Sequence, residues 1–317
     1  MTARLVLPGT ATEADWLKAR RGGVTASEIA VVTGLSPYSS PYALYWQKTG
    51  DLPGQEDNLA MAVGRHLESF VADQFAVRRP EFRVAGDGRA LWANEDRPWQ
   101  LATPDRCVFE SAGSFQETAL QPLAVLECKT AASYDGWGDD GTDEIPVHYR
   151  CQVLWQMDVM GVTTGFVACL FLHSRQLRVY ELWMGPAEVR DLDIMRLEAQ
   201  LFLDRLDEGN PPEVDWRPAT TGALKRLHPA IRDVDVPVRR MPVIQYRAAC
   251  RAYKAAEQRK KAAENRLRLL LGDGHRITDR LTGEVVATRQ VFDQREYVRK
   301  ACTVDKLVPA KPKEDKP

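Results

Sequence analysis

Residues 124–131, AVLECKTA, combine an apolar start with two opposite charges placed close together. The first three residues predict a buried strand, yet Glu127 and Lys129 follow directly. Because alternate residues of a strand share one face, both charged side chains emerge at the same place. An isolated surface ion pair is common and contributes little to stability. The interpretation of this pair therefore depends on the residues that accompany it.

The composition is that of a globular protein with a sizeable core, at 317 residues, 44% hydrophobic and 27% charged. No segment approaches the roughly 18 consecutive apolar residues that span a membrane. The opening MTARLVLPGT lacks the pattern of a signal peptide, so we expect a cytoplasmic protein. The six cysteines include no CxxC spacing, which argues against a thiolate zinc site and a disulfide framework.

The net charge of −1 conceals a strong asymmetry along the chain. From Gln245 to the C-terminus there are 18 basic and 10 acidic residues, whereas the rest has 25 basic and 34 acidic residues. Such a distribution hints at a polyanionic partner for the C-terminal part.

Hydrophobic periodicity predicts an alternation of helices and strands up to about residue 208. The expected helices cover 12–21, 61–77, 146–160 and 186–208, with two short ones beginning at Thr25 and Pro41, and the expected strands include 89–94, 106–110 and the run from Ala124. GFVACLFL and LRVYELWM predict two more strands joined by a tight turn. We divide the chain into residues 1–210, a Pro-rich connecting segment 211–244, a basic helix and β-hairpin 245–303, and a disordered tail 304–317.

A second carboxylate is expected beside Glu127. In TPDRCVF, Asp105 lies at the start of a strand that can pair with the Glu127 strand as a hairpin. Two carboxylates at neighbouring strand ends can share Mg²⁺, which prefers oxygen ligands. A lysine beside them can orient or deprotonate a water, or balance the charge developing on a phosphate.

Two predicted helices supply further polar residues on faces that are otherwise apolar. Glu68 lies on the apolar stripe of helix 61–77, where a carboxylate is costly unless it is paired or bound to a cation. Gln152 and Gln156 share one face of helix 146–160. The alternatives are that Glu68 bonds Arg65 or the backbone, and that each glutamine is a core amide bonded to the backbone.

These residues occur in an order that resembles the PD-(D/E)xK nuclease superfamily: Glu68, TPD ending at Asp105, LECK with Glu127 and Lys129, and YRCQ ending at Gln152. WLKARRGGVTASEIA, GLSPYSSPYALYWQKTG and IPVHYRCQVLWQMDVMG resemble one family within it, that of the YqaJ-type viral recombinases and phage lambda exonuclease. The resemblance covers roughly residues 12–208. It implies an α/β fold with a restriction-endonuclease-like core, in which a central mixed β-sheet is flanked by helices. The helix and hairpin predicted after residue 245 would be a C-terminal extension of that core.

The resemblance also implies a metal site. Asp105, Glu127 and the backbone carbonyl of Cys128 would bind one or two Mg²⁺ ions, with Mn²⁺ as a substitute, and Glu68 would complete the shell directly or through a water. Lys129 would position and activate the attacking water. Gln152 would hold the region around Lys129 and the substrate.

The implied activity is the degradation of one strand of linear double-stranded DNA from its 5′ end, which leaves a 3′ single strand for recombination by annealing. Arg20 and Ser27 would bind the 5′-phosphate. This agrees with local chemistry, because TASE opens a helix whose free N–H groups favour an anion and arginine offers a bidentate fork. Simple helix capping by TASE is the alternative. The implied partners are DNA ends, a single-strand annealing protein and copies of this chain in a trimeric ring, in a bacterial cell that carries a phage or prophage.

Two other classes of function compete with this one. A related PD-(D/E)xK nuclease could be an endonuclease, a repair enzyme or an iron–sulfur exonuclease, although the scattered cysteines do not suit a cluster. A non-enzymatic DNA-binding recombination protein could act through its basic C-terminal part. That class leaves the ordered set of acidic residues without an explanation.

Overall fold

The computed structural model describes residues 3–54, 57–86, 88–111 and 121–291. Outside these residues lie most of the segment between the predicted strand 106–110 and the strand from Ala124, the end of the segment 245–303 and the tail 304–317. The chain forms two compact units, one extending to Ile231 and one beginning at Arg232. Neither contains, among the described residues, a helix that is both long and apolar enough to cross a membrane.

The first unit holds nine strands and seven helices among its described residues. Its helices are α1 (Glu13–Arg21), α2 (Ala26–Val32), α3 (Pro41–Thr49), α4 (Leu59–Arg78), α5 (Val147–Met160), α6 (Pro186–Asp207) and α7 (Pro218–Leu227). Its strands are β1 (Ala3–Leu7), β2 (Val24–Thr25), β3 (Phe82–Ala85), β4 (Leu91–Asn94), β5 (Gln100–Ala102), β6 (Arg106–Glu110), β7 (Ala124–Ala131), β8 (Thr164–Phe171) and β9 (Gln176–Trp183).

The central sheet has five strands in the order β3-β6-β7-β8-β9 and is mixed. β6 pairs antiparallel with β7, as the hairpin prediction requires, and β7 pairs parallel with β8 along its whole length. Strands β8 and β9 form the expected antiparallel hairpin. The strand AVLECKTA is therefore the middle strand of the sheet.

The two faces of β7 pack against different helices, and this alternation places the charged residues. Ala124, Leu126 and Cys128 join the apolar cluster beneath α4. Val125, on the opposite face, packs in the larger cluster that contains α5. Glu127 and Lys129 continue the Val125 face by strand alternation. The mixed sheet flanked by helices confirms the predicted fold class.

Helix α5 also contacts a second sheet, which has the order β1-β4-β5-β2. The indole Nε1 of Trp155 donates a hydrogen bond to the carbonyl oxygen of Leu101 on β5 at 3.2 Å. Helix α5 approaches β8 closely because residue 165, which lies on β8, is a glycine. A Cβ atom at Gly165 would lie 2.5 Å from Val153 Cγ1 and 2.8 Å from Met157 Sδ. Helix α5 is thus held tightly over the face that carries Glu127.

Helix α7 lies within residues 211–244, the stretch that was expected to connect two domains. Ala223 is buried in a cluster with Tyr42 and Ala43 of α3. The Thr220 hydroxyl donates to Ser40 Oγ at 2.7 Å in the same contact. Short-range proline signals gave no indication of this packing, because its partners lie far away in sequence. The division of the chain at 210, 244 and 303 stays a prediction.

The second unit contains α8 (Arg240–Leu271) and a two-stranded antiparallel hairpin, β10 (Arg276–Thr278) and β11 (Val285–Thr288). Gly283 in the turn has φ +74°, a backbone conformation that favours glycine. The helix begins at Arg240, five residues before the predicted segment 245–303. The predicted helix-plus-hairpin extension is confirmed over the described residues.

Candidate active site

The Glu127 carboxylate is buried beneath α5 and accepts hydrogen bonds from three side chains. Only 2% of the residue is exposed. Lys129 and Gln152 both donate to Oε1, and Gln156 Nε2 donates to Oε2 at 2.7 Å. A buried carboxylate requires such partners. The two glutamines therefore bond the carboxylate, and the alternative that each is a core amide bonded to the backbone does not apply to their Nε2 donors.

Asp105 lies beside the Glu127 carboxylate because the pairing of β6 with β7 ends next to Asp105. Pairing stops at Arg106 and Leu126, and beyond it the backbone N–H of Cys128 donates to Asp105 Oδ2 at 2.7 Å. Burial and the negative charge of Glu127 raise the pKa of Asp105 well above its usual range. A site that disfavours its own negative charge in this way favours a nearby cation.

Lys129 supplies one cation. Burial lowers the pKa of Lys129, but the charges of Glu127 and Asp105 outweigh burial and raise the pKa above its ordinary value. The side chain is therefore an ammonium group at neutral pH. Its Nζ lies 5.0 Å from the centre of the Tyr149 ring, a cation–π distance. Burial raises the pKa of Tyr149 to about 12, so the phenol stays neutral.

Glu68 is held by Arg106, a residue that the sequence analysis did not consider. Arg106 Nη1 donates to Glu68 Oε1 at 2.8 Å and also to the backbone oxygen of Asp105. Arg65, the partner considered from sequence, instead pairs with Asp57. The signal for Arg106 was its position directly after Asp105, but the side-chain contact spans 38 residues and has no local signature.

The donors fit a magnesium ion. Among the described residues there is no group of three or more His, Cys, Asp or Glu side chains arranged around one point. Mg²⁺ does not need one, because it is usually bound by one or two carboxylates together with waters. Asp105 and Glu127 supply two carboxylates. A strand residue directs its N–H and C=O toward the same neighbour, so the Cys128 carbonyl faces the Asp105 side.

A cavity of about 640 Å³ adjoins the site. Its wall includes Trp16 of α1, Glu68 of α4, and three arginines, Arg65, Arg89 and Arg106. Arg106 also donates a hydrogen bond to the backbone oxygen of Asp105. Arg106 therefore borders the cavity and contacts the residue that carries the Asp105 carboxylate. Arginines are well suited to bind phosphate oxygens.

Arg20 and Ser27 contact each other at the start of α2. Arg20 Nη2 is 3.0 Å from both Ser27 Oγ and Thr25 Oγ1. Glu28 accepts from the Thr25 backbone N–H at 2.9 Å, which is one half of the expected capping box. Lys48 was not foreseen, and its Nζ lies 3.0 Å from Glu28 Oε2. The roles assigned to Arg20 and Ser27, and to the carboxylates, stay predictions.

The mixed sheet flanked by helices places an aspartate at one strand end and a Glu-x-Lys pair on the neighbouring strand, which is the arrangement that the sequence resemblance to the PD-(D/E)xK nucleases implies. Residues 15–166 match the model of the YqaJ-like viral recombinase domain.

Comparison with individual proteins gives more distant similarities. The uncharacterized protein YqaJ of Bacillus subtilis strain 168 is 27% identical over 217 residues, which cover 68% of this chain and 63% of that protein. The match thus spans less than two thirds of that relative. The LHK-Exo structure in complex with dAMP is 19% identical, covers 62% of this chain and 94% of its own, and has a TM-score of 0.47. A phage related exonuclease from Haemophilus somnus 129PT is 10% identical, with coverage of 59% and 96% and a TM-score of 0.40.

Proposed function

We propose that the chain is a Mg²⁺-dependent exonuclease that degrades one strand of linear duplex DNA in the 5′ to 3′ direction and leaves 3′ single strands for phage-type recombination by annealing. The observation that carries this proposal is the enclosure of Glu127 beside Asp105 and Lys129. Three side-chain donors hold the buried Glu127 carboxylate, whereas the carboxylate of a surface ion pair would be exposed to water. The match of residues 15–166 to the YqaJ-like viral recombinase domain supports a role in recombination.

The proposed mechanism assigns a separate task to each residue. Asp105, Glu127 and the Cys128 carbonyl would hold Mg²⁺, which when bound neutralises charge on the scissile phosphate and acidifies a water. Lys129 would orient the attacking water and balance the negative charge that develops on the phosphate. Gln152 and Gln156 hold the Glu127 carboxylate in place by hydrogen bonds. Arg106 would fix Glu68, which would contact the metal through a water.

The polarity of digestion is proposed to depend on the contact between Arg20 and Ser27. A guanidinium 3.0 Å from a hydroxyl at the start of α2 offers donors of the kind that bind a terminal phosphate. The remaining elements of the proposal rest on the resemblance. These are a cyclic homo-oligomer, most simply a trimer, a single-strand annealing protein as partner, and action in the cytoplasm of a bacterial host.

The test compares a linear duplex with a covalently closed circle of the same sequence. With Mg²⁺, nucleotides should be released only from the linear form, and a 5′ label should be released before a 3′ label. Cutting of the closed circle would instead identify an endonuclease. Duplex binding without any hydrolysis would favour a non-enzymatic recombination protein.

A further inference from the structure

One side of α8 carries a long series of basic and amide side chains. The series, here named the basic stripe, consists of Arg247, Arg251, Lys254, Gln258, Lys261, Asn265 and Arg268. Successive members are separated alternately by four and three residues, which is the spacing that places side chains on one face of a helix. None of the seven is acidic. The stripe thus consists of five positive charges and two amides.

The stripe is exposed along its whole length. α8 has no buried residue, and each of the seven stripe members is exposed. At about 1.5 Å per residue, the stripe is roughly 30 Å long. A solvated helix usually mixes positive and negative charges on its exposed face. The two acidic residues, Glu257 and Glu264, each precede a stripe member by one position, but each also follows a stripe lysine by three positions and so borders the stripe. Glu264 Oε2 lies 3.6 Å from Lys261 Nζ, and the basic residues of the stripe outnumber these two carboxylates.

A regular, cationic surface of this length favours a rigid polyanion. Double-stranded DNA presents one charge per about 1.7 Å of its axis, so a stripe of roughly 30 Å faces many phosphates. Single-stranded nucleic acid is usually bound with aromatic side chains that stack on its bases. The aromatic residues of α8, Tyr246 and Tyr253, also precede stripe members by one position and lie off the stripe. This arrangement favours a duplex over a single strand.

We propose that the basic stripe of α8 binds the phosphate backbone of duplex DNA. The inference rests on the proposed substrate, and it adds a second contact surface on the same chain. Because the stripe is covalently joined to the nuclease unit, its binding would raise the effective concentration of duplex for that unit. The stripe supplies affinity without base specificity, since phosphate contacts carry no direct sequence information.

The test uses the full chain and a fluorescent duplex whose two ends are closed by hairpin loops. Such a dumbbell offers no end to the nuclease site, so its binding reports on surfaces outside that site. The stripe variant is R247Q/R251Q/K254Q. The matched control is R259Q/K260Q/R266Q, which removes the same charge from the same helix away from the stripe. Arg, Lys and Gln have similar helix propensities, so helicity should be preserved in both.

The stripe variant should bind the dumbbell roughly tenfold or more weakly at about 0.1 M salt. In a plot of the logarithm of its binding constant against the logarithm of the salt concentration, the slope should become shallower by about three. The control should show a clearly smaller change in both quantities. Equal losses in the two variants, or no loss in either, would overturn the stripe as a site. A loss seen only with an oligo-dT single strand would overturn the assignment to duplex. Nucleotide release from an open duplex is measured separately, so failure of the proposed activity does not affect this result.

Discussion

Gln156 Nε2 lies 2.7 Å from Glu127 Oε2, and both residues are almost completely buried. The other amide atom, Gln156 Oε1, has no hydrogen-bond partner among the described residues. The hydrogen bond to the Glu127 carboxylate thus fixes the orientation of the Gln156 amide and leaves the amide oxygen without a partner in the described part of the chain. A hydrogen bond to a charged group contributes about 1.5–3 kcal/mol, and an unpaired buried acceptor costs a similar amount.

Two substitutions at position 156 should therefore differ sharply. Gln156→Leu removes the unpaired oxygen but leaves Glu127 Oε2 without its donor, so the free energy of unfolding should fall by about 1–2 kcal/mol. Gln156→Glu places a second carboxylate against Glu127 and should cost about 3 kcal/mol or more at pH 8. Urea unfolding measures both values. Gln200→Glu on the exposed side of α6 is the control, and equal stabilities of the two position-156 variants would contradict the arrangement.

The close approach of α5 to β8 predicts the effect of adding one methyl group. Gly165→Ala places a Cβ within 2.8 Å of Val153 and Met157 side-chain atoms, so these side chains or α5 itself must shift. The expected cost is about 1–3 kcal/mol in unfolding free energy, together with reduced activity. Gly222→Ala in α7 meets no atom within 4 Å and should stabilise the protein by about 0.5–1 kcal/mol. Thermal unfolding of both variants checks this, and a Gly165→Ala protein as stable as wild type would refute the tight packing.

Arg106 is expected to act as a positioning residue. Its guanidinium joins Glu68 to the backbone of Asp105, so Arg106→Leu should loosen both while leaving the fold intact. Loss of a residue that orients metal ligands typically reduces activity or metal affinity by about 10- to 100-fold. The rate measured against Mg²⁺ concentration should show a higher metal requirement, and Arg106→Lys should recover part of it. Arg65→Leu is the control in the same cavity, and an equal effect there would argue for a general loss of charge.

Arg20→Ala should remove the preference for a 5′-phosphate. A charge-assisted hydrogen bond of about 1.5–3 kcal/mol corresponds to a roughly 10- to 100-fold change in KM for phosphorylated ends. Duplexes with 5′-phosphate and 5′-hydroxyl ends are compared in wild type, Arg20→Ala and the neighbouring Arg21→Ala. If Arg20→Ala keeps the wild-type preference, the assignment of this pocket is wrong.

Local signals were sufficient to predict the central part of the site. The period of two in AVLECKTA places Glu127 and Lys129 on one face, and the predicted hairpin pairing of the Asp105 strand with the Glu127 strand predicts the neighbouring carboxylate. Period 3.6 in 146–160 places Gln152 and Gln156 on one face. These features depend on residues close together in sequence, so the pattern itself carries them.

The rest depends on contacts between distant residues. Strand β2 has two residues and β5 has three, which is too short for a periodic signal. Strand β1 pairs with β4 across about 90 positions, from Ala3 to Asn94, and no local pattern encodes such a register. The same reason explains why the contact of Arg106 with Glu68 was not foreseen.

The most direct test of the account measures Mg²⁺-dependent nucleotide release from a linear duplex by wild type, Asp105→Asn and Glu127→Gln. Both substitutions keep the size of the side chain, and the amide that replaces the Asp105 carboxylate retains an oxygen that can accept from the Cys128 N–H. The account predicts rapid release by wild type that stops when EDTA removes the metal. Each variant should be folded and bind duplex, but its rate should fall by at least about 100- to 1,000-fold, because the Mg²⁺ that would stabilise the reacting phosphate loses a carboxylate ligand. A folded Asp105→Asn or Glu127→Gln protein that releases nucleotides at close to the wild-type rate would contradict the account.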